Sequence, residues 1–333
     1  MFKTPKLRVI AAAAATAAAL FSTPASAFVY GLSHLQIQDL TLTSAGATTS
    51  IAGFTFDLTN TATLNGATVV TSASCNQATC AGSPVLDAQP ANAPGSTLLR
   101  TNNNFTFFGP NGTDSYSGAD SVIRTAELVG GVPTNTQQIA EVLLNVNGQA
   151  RANAEIQSNT SLVLNIVVAP GGGSLTLLFG ADPDQRVAIS ELLAGAYLSQ
   201  SNMNASFSLT NSTGQQFRFA PDGILNPCQG SITGSTCTET SDPLSLNANL
   251  STGTNPSDLQ RSFEQAATFS NYGLTITGLA ADNYTVAFNA VTSTSITRTV
   301  AVIPEPASLA LVGLALAGLG AVGRRRAKPT LQA

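Results

Sequence analysis

Hydrophobic positions along this chain recur mostly with period two, the spacing of half-buried β-strands. Phe54-Thr55-Phe56-Asp57-Leu58, Phe105-Thr106-Phe107, residues 205–209, Phe217-Arg218-Phe219 and Leu274-Thr275-Ile276 all alternate. Residues 162–168 and 175–179 are denser apolar runs, and Pro170-Gly171-Gly172-Gly173 between them predicts a hairpin in a central sheet. Residues 284–291 and 295–302 predict a last strand pair. Helical spacing is confined to residues 187–199, with Ile189, Leu192, Leu193 and Ala196 on one face, and to residues 136–144. Neither stretch alternates regularly with strands, which disfavours a parallel α/β sheet. The expected fold is all-β, an antiparallel β-sandwich or jelly-roll-like body. Residues 82–97, rich in Pro, Ala and Gly, read as a long surface loop, and residues 28–303 as one exported β-rich domain.

Both ends break the pattern. Lys3, Lys6 and Arg8 precede an apolar, Ala-rich run over residues 9–21, and Ala25-Ser26-Ala27 follows. A positive n-region, a short apolar core and small residues before the cut predict a signal peptide over residues 1–27. The export machinery would carry the chain out, and signal peptidase would cleave between Ala27 and Phe28. A buried N-terminal helix would instead show polar positions every third or fourth residue. At the other end, Pro304-Glu305-Pro306 is followed by an apolar run over residues 307–322 and then Arg324-Arg325-Arg326. Sixteen helical residues reach about 24 Å against a hydrocarbon core of roughly 30 Å, a gap that flanking residues or local thinning closes. The run therefore reads as a C-terminal transmembrane helix. Its arginines stay on the cytoplasmic side and the preceding domain lies outside. The two prolines keep the backbone before it extended and open to a protease.

In this order the tripeptide, the short apolar helix and the arginine cluster resemble the PEP-CTERM sorting signal of Gram-negative bacteria, over residues 303–327. The resemblance implies recognition by exosortase, a membrane-embedded, Cys-dependent transpeptidase. It further implies transient anchoring in the inner membrane, processing near the tripeptide, and residence at the cell surface or in the extracellular matrix. Exopolysaccharide production and biofilm formation often accompany that location. Pro304, Glu305 and Pro306 would be the recognition element, and Arg324, Arg325 and Arg326 the stop-transfer anchor. Phe179-Gly180-Ala181-Asp182-Pro183, Phe219-Ala220-Pro221-Asp222-Gly223 and residues 116–123 are similar in layout to a subgroup of exosortase-dependent surface-associated proteins whose bodies lack assigned chemistry.

Charge narrows the partners. Charged residues make up 10% of the chain, against a usual quarter, and Ser, Thr and Asn take their place. The three lysines are Lys3, Lys6 and Lys328, while residues 28–303 hold seven arginines against 17 carboxylates, a net charge of about −10. Such a body repels nucleic acid and anionic lipid and has no basic stripe for phosphate contacts, so nucleic acid is not an expected partner.

The four cysteines form two local pairs, Cys75 with Cys80 and Cys228 with Cys237, each beside turn residues. In an exported chain these read as two disulfides. A zinc site would need four thiolates converging from distant segments without a CxxC knuckle.

Catalytic patterns are scarce. His34, the single histidine, has no nucleophile motif beside it and reads as a surface or packed residue near a strand start; one histidine also excludes a multi-His metal centre. Gly171-Gly172-Gly173 lacks the Lys-Ser/Thr of a phosphate loop. Asp182 and Asp184 flank Pro183 in an expected loop; they offer two oxygens where Ca²⁺ wants six or more, and turn chemistry explains them as well. Two glycosidase carboxylates could be drawn from many acidic residues, but no Trp and five Tyr leave little for stacking sugar rings. The reading is a non-enzymatic surface or matrix protein with no catalytic residue, metal or cofactor. A polysaccharide-binding module or adhesin is the alternative, and a polysaccharide-active hydrolase comes third.

Overall fold

The computed structural model describes residues 27–46, 49–80, 85–110, 114–125, 134–145, 153–190, 196–253, 256–263 and 267–299. The expected signal helix and the apolar run 307–322 lie outside these residues. Every helix or strand among them is a strand. In chain order these are β1 (Phe28–Gly46), β2 (Thr49–Leu64), β3 (Ala67–Asn76), β4 (Val85–Asn92), β5 (Tyr116–Thr125), β6 (Thr134–Asn145), β7 (Asn153–Val168) and β8 (Gly173–Ile189). Then come β9 (Ala196–Asn211), β10 (Gln216–Phe219), β11 (Gln229–Ser231), β12 (Thr236–Ser241), β13 (Ala248–Thr252), β14 (Ser257–Arg261), β15 (Ser270–Leu279) and β16 (Asp282–Thr299).

They form two antiparallel sheets of eight strands. The first runs β12-β15-β8-β1-β6-β5-β4, with β14 also paired to β8. The second runs β11-β10-β9-β16-β7-β2-β3, with β13 paired to β9. One face of each sheet builds the shared core: Leu35, Ile37, Phe179 and Ile276 from the first bury against Phe56, Leu164, Phe207 and Phe288 from the second. The Phe179 ring stacks on Tyr272 at 5.1 Å and meets Phe288 edge-on at 5.6 Å. This is the sandwich expected from the alternation.

The first sheet is apolar on its outer face as well. Tyr30, Leu32, Tyr116, Ile139, Leu143 and Ala188 form a second buried cluster there, covered by Phe105, Phe107 and Phe108 from the β4–β5 connection and by Phe263. Strands replace both expected helices, and for residues 136–144 the double burial is the reason. Residues 136–144 lie in β6, where Ala140, Val142 and Leu144 face the second sheet while Ile139 and Leu143 face the outer cluster. Filling both faces erases the period-two signal and leaves a dense run that mimics a helical stripe. Residues 187–189 end β8, buried on both faces, and residues 196–199 begin β9 with Tyr197 and Ser199 buried and Ala196 and Leu198 exposed. Residues 191–195, with Leu192 and Leu193, lie outside the described residues.

Four further expectations are corrected. The runs around Pro170-Gly171-Gly172-Gly173 do not pair: β7 belongs to the second sheet and β8 to the first, so the turn crosses between sheets. Both strands face one core, and apolar density does not report sheet membership. Gly172 is required there, because its φ is +72° and a Cβ would lie 2.6 Å from the Leu279 carbonyl oxygen. Residues 284–291 and 295–299 are one strand, β16, whose central Thr292 and Thr294 are buried rather than turning. Residues 85–92, expected within a loop, form β4. Phe105-Thr106-Phe107 is irregular chain, its two rings pointing into the outer cluster rather than alternating about a sheet.

Both expected disulfides are present, Cys75–Cys80 with Cα atoms 5.4 Å apart and Cys228–Cys237 with Cα atoms 5.6 Å apart. The second is buried in the shared core and closes the β10–β12 region. Replacing Cys228 and Cys237 together by alanine is expected to cost about 2–3 kcal/mol. The loss would be read as a lower urea midpoint than that of a Cys75→Ala/Cys80→Ala variant, whose pair is only partly buried.

Candidate functional site

Strand register assembles a polar cluster on the outer face of the first sheet. His34 of β1 pairs directly with Asp184 of β8, and Gln36 pairs with Asp182 on one side and Gln137 of β6 on the other. His34 Nδ1 lies 2.9 Å from Asp184 Oδ2, and His34 Nε2 lies 3.0 Å from Gln137 Nε2. With the Gln137 amide nitrogen donating to Nε2, it is Nδ1–H that donates to Asp184. Gln137 also donates to Gln36 Oε1 at 3.4 Å. His34 is thus a buried mid-strand residue, 5% exposed, and Phe107 meets its ring in a T-shaped contact with the ring centroids 5.2 Å apart. Asp182 and Asp184 lie in β8 and not in the expected loop; Pro183 between them pairs with Leu35.

Residues 103–107 form the facing wall and leave a cleft of about 400 Å³. The sheet contributes His34, Gln36, Gln137, Asp182 and Asp184, and the wall contributes Asn103, Asn104, Phe105, Thr106 and Phe107. Among the described residues, no lysine or arginine lines it.

A buried clamp holds that wall in place. Glu141 of β6 accepts from Tyr30 Oη at 2.7 Å, from the Phe108 amide at 3.1 Å and from the Gly109 amide at 2.9 Å. Its carboxylate also pairs with Arg100, and both side chains are fully buried. Arg100 donates onward to the Asn104 and Thr106 carbonyls at 3.0 and 3.2 Å, and its guanidinium covers the Phe108 ring. Burial first, and then the Glu141 charge, raise the Tyr30 hydroxyl well above the usual phenol range; Tyr116 is raised in the same way. Beside the clamp, Asn103 Nδ2 donates to Asp87 Oδ2 at 2.9 Å. Asp120, 0% exposed, is pushed up to about 7 by burial, although amide hydrogen bonds from Ser121 and Asn103 oppose the shift.

A second acidic group shapes the turn after β10. The Asp222 and Gly223 amides donate to Asp242 Oδ2 at 2.9 and 3.1 Å, and the Asn226 amide donates to Glu239 Oε2 at 3.0 Å. Among the described residues, no group of three or more His, Cys, Asp or Glu side chains is arranged to hold a metal ion.

The sequence-derived sites fall out unevenly. Phe28 opens β1, its amide donating to Ser190 Oγ at 2.8 Å, and Ala27 before it is buried. Ala25, the Pro304-Glu305-Pro306 tripeptide and Arg324 to Arg326 lie outside the described residues. The amides of the cleft and the Arg100–Glu141 clamp have no motif that sequence reading could have singled out.

The described residues define a disulfide-bonded, antiparallel β-sandwich with a polar cleft on one outer face. Residues 302–326 match the PEP-CTERM protein-sorting motif, which marks the chain as an exosortase-targeted protein exported to the bacterial surface or exterior. No curated protein and no solved structure gives a significant match.

Proposed function

We propose that this chain is a non-catalytic component of the cell surface or extracellular polymer of a Gram-negative bacterium. In this reading its tail holds it briefly in the inner membrane until exosortase processes it near Pro304-Glu305-Pro306. The match over residues 302–326 carries the proposal. A compact body with two disulfides suits a chain that must keep its fold outside the cell. The His34–Asp184 pair looks like a base with its orienting carboxylate, but Gln137 occupies the ring nitrogen that would take a nucleophile's proton. The cysteines that could serve as nucleophiles are all in disulfides.

Mass spectrometry of the mature protein from its own cells tests this. The wild-type protein is expected to begin at Phe28 and to lack the residues beyond its processing point. Glu305→Ala, or alanine at Arg324, Arg325 and Arg326 together, should reduce the processed form at least tenfold and leave the tail attached. A wild-type mature protein with its tail intact would replace sorting with a plain membrane anchor.

A second reading, that the body binds polysaccharide, is favoured by the outer cleft. Its polar lining and preset geometry are those of a binding surface. A hydrolase reading draws less support, since Asp184, one of the two cleft carboxylates, is already bonded to His34.

A further inference from the structure

We infer that the outer cleft binds an uncharged sugar unit, held by Gln36, Gln137, Asn103 and Asn104 against the rings of Phe105 and Phe107. The inference rests on the second reading above, that the body is a binding module.

The first observation is the balance of charge. Among the described residues, two carboxylates and no lysine or arginine line the cleft. A uronate, sulfate or phosphate would enter against like charge at close range with no cationic side chain among the lining residues to offset it. A metal ion is equally ill served, because no metal-binding group occurs among the described residues.

The second observation is the kind of polar atom. Four of the lining residues are amides. Gln137 spends its amide hydrogens on His34 and Gln36, so its oxygen is the acceptor it offers a ligand, while the Gln36 amide nitrogen offers donors. A sugar hydroxyl both donates and accepts, so neighbouring hydroxyls can each give one hydrogen bond and receive another. Asp182 and Asp184 add acceptors for hydroxyl donors. Phe105 and Phe107 supply apolar surface for the C–H face of a ring, a role the sequence had seemed to lack for want of Trp.

The third observation is preorganisation. Gln137 is fixed between His34 and Gln36, and His34 is fixed in turn by Asp184. The facing wall is locked by Arg100, which donates to the Asn104 and Thr106 carbonyls from its pairing with Glu141. Little side-chain freedom remains to be lost on binding. At about 400 Å³, the cleft falls in the small-ligand range and suits a short segment of polymer.

The test is isothermal titration of the mature, processed protein with three sets of oligomers. These are neutral gluco-, galacto- and manno-oligosaccharides, oligogalacturonate, and oligomers of glucosamine. Binding of a neutral set is expected, with at least tenfold weakening in Gln137→Ala and in Gln36→Ala. Leu225→Ser, at an exposed site away from the cleft, should bind as wild type. Each variant is compared at a thermal midpoint close to wild type, and the two cleft variants back each other if one fails to fold. Neutral binding that persists in both folded cleft variants would overturn the site while leaving the binding-module reading intact. Binding of only galacturonate or only glucosamine oligomers would overturn the ligand class. Absence of binding to every set would remove both the inference and the reading beneath it.

Discussion

Glu141→Ala is expected to be the most damaging single substitution in the sandwich, at about 3–5 kcal/mol. The carboxylate receives Tyr30, the Phe108 and Gly109 amides and Arg100, and the Glu141 and Arg100 side chains are fully buried. Its removal strands a fully buried guanidinium and leaves two amides and a phenol without their acceptor, and each orphaned group carries its own desolvation cost. Burial of the pair itself adds little, since two charges brought out of water lose in solvation much of what they gain in attraction. The loss therefore comes from breaking the set. Arg100→Ala should be nearly as harmful, and the double variant should lose clearly less than the sum of the two, because they remove one shared network. Urea denaturation of the three variants measures this. Residues 101–110 should also become the preferred site of limited proteolysis, since the clamp is what ties them to the sheet. A wild-type urea midpoint for Glu141→Ala would show that the β4–β5 connection is held by its phenylalanines alone.

The second large effect concerns pH. Asp120 is held near 7 in the folded protein, against an ordinary carboxyl value of 3.8. Burial is the leading cause and the Asp87 carboxylate adds to it, while Arg100 and two amide donors oppose. A carboxyl raised on folding binds its proton more tightly in the native state. Its contribution to stability is complete below the unfolded value and disappears as pH rises through the folded one. Between pH 5 and pH 8 the protein is expected to lose about 2–3 kcal/mol from this group. Glu239 and Asp242, also raised by burial, act with the same sign. Asp120→Asn should remove the Asp120 share, making the variant the more stable of the two at pH 8 and narrowing the difference at pH 5. Thermal midpoints of both proteins across that range decide the matter. Parallel curves would mean that Asp120 ionises without penalty.

Sequence alone conveyed the fold class well because the shared core is lined from one face of each sheet, and alternation survives in strands such as Phe217-Arg218-Phe219 and Leu274-Thr275-Ile276. The disulfides were legible for a simpler reason, since each pair is local and flanked by turn residues. Alternation failed wherever a strand was covered twice. Ile139 and Leu143 of β6 face the outer cluster while Val142 and Leu144 face the second sheet, and that pairing of faces exists only once the β4–β5 connection has folded back. The cleft was hidden for a related reason. His34 lies 103 residues from Gln137 and 150 from Asp184 along the chain, and register alone brings the three together. His34 drew notice for being unique, whereas Gln36 and Gln137 are ordinary amides in an amide-rich chain. Phe105 and Phe107 carried a strand-like spacing that belongs instead to two rings reaching down onto a sheet. The sorting tail could be read because its grammar is linear and needs no tertiary structure.

The long final strand also bears on how the body meets mechanical load. β16 pairs with β7 without a break from Asp282 opposite Val168 to Thr297 opposite Asn153, and it lies between β9 and β7 within the second sheet. A pull on Thr299 directed along that strand would load its cross-strand bonds in shear, so that they must give way together instead of peeling one at a time. A tether joined at this point draws on the resistance of the sheet's interior, and the body should hold its shape under drag that would strip a strand from an edge.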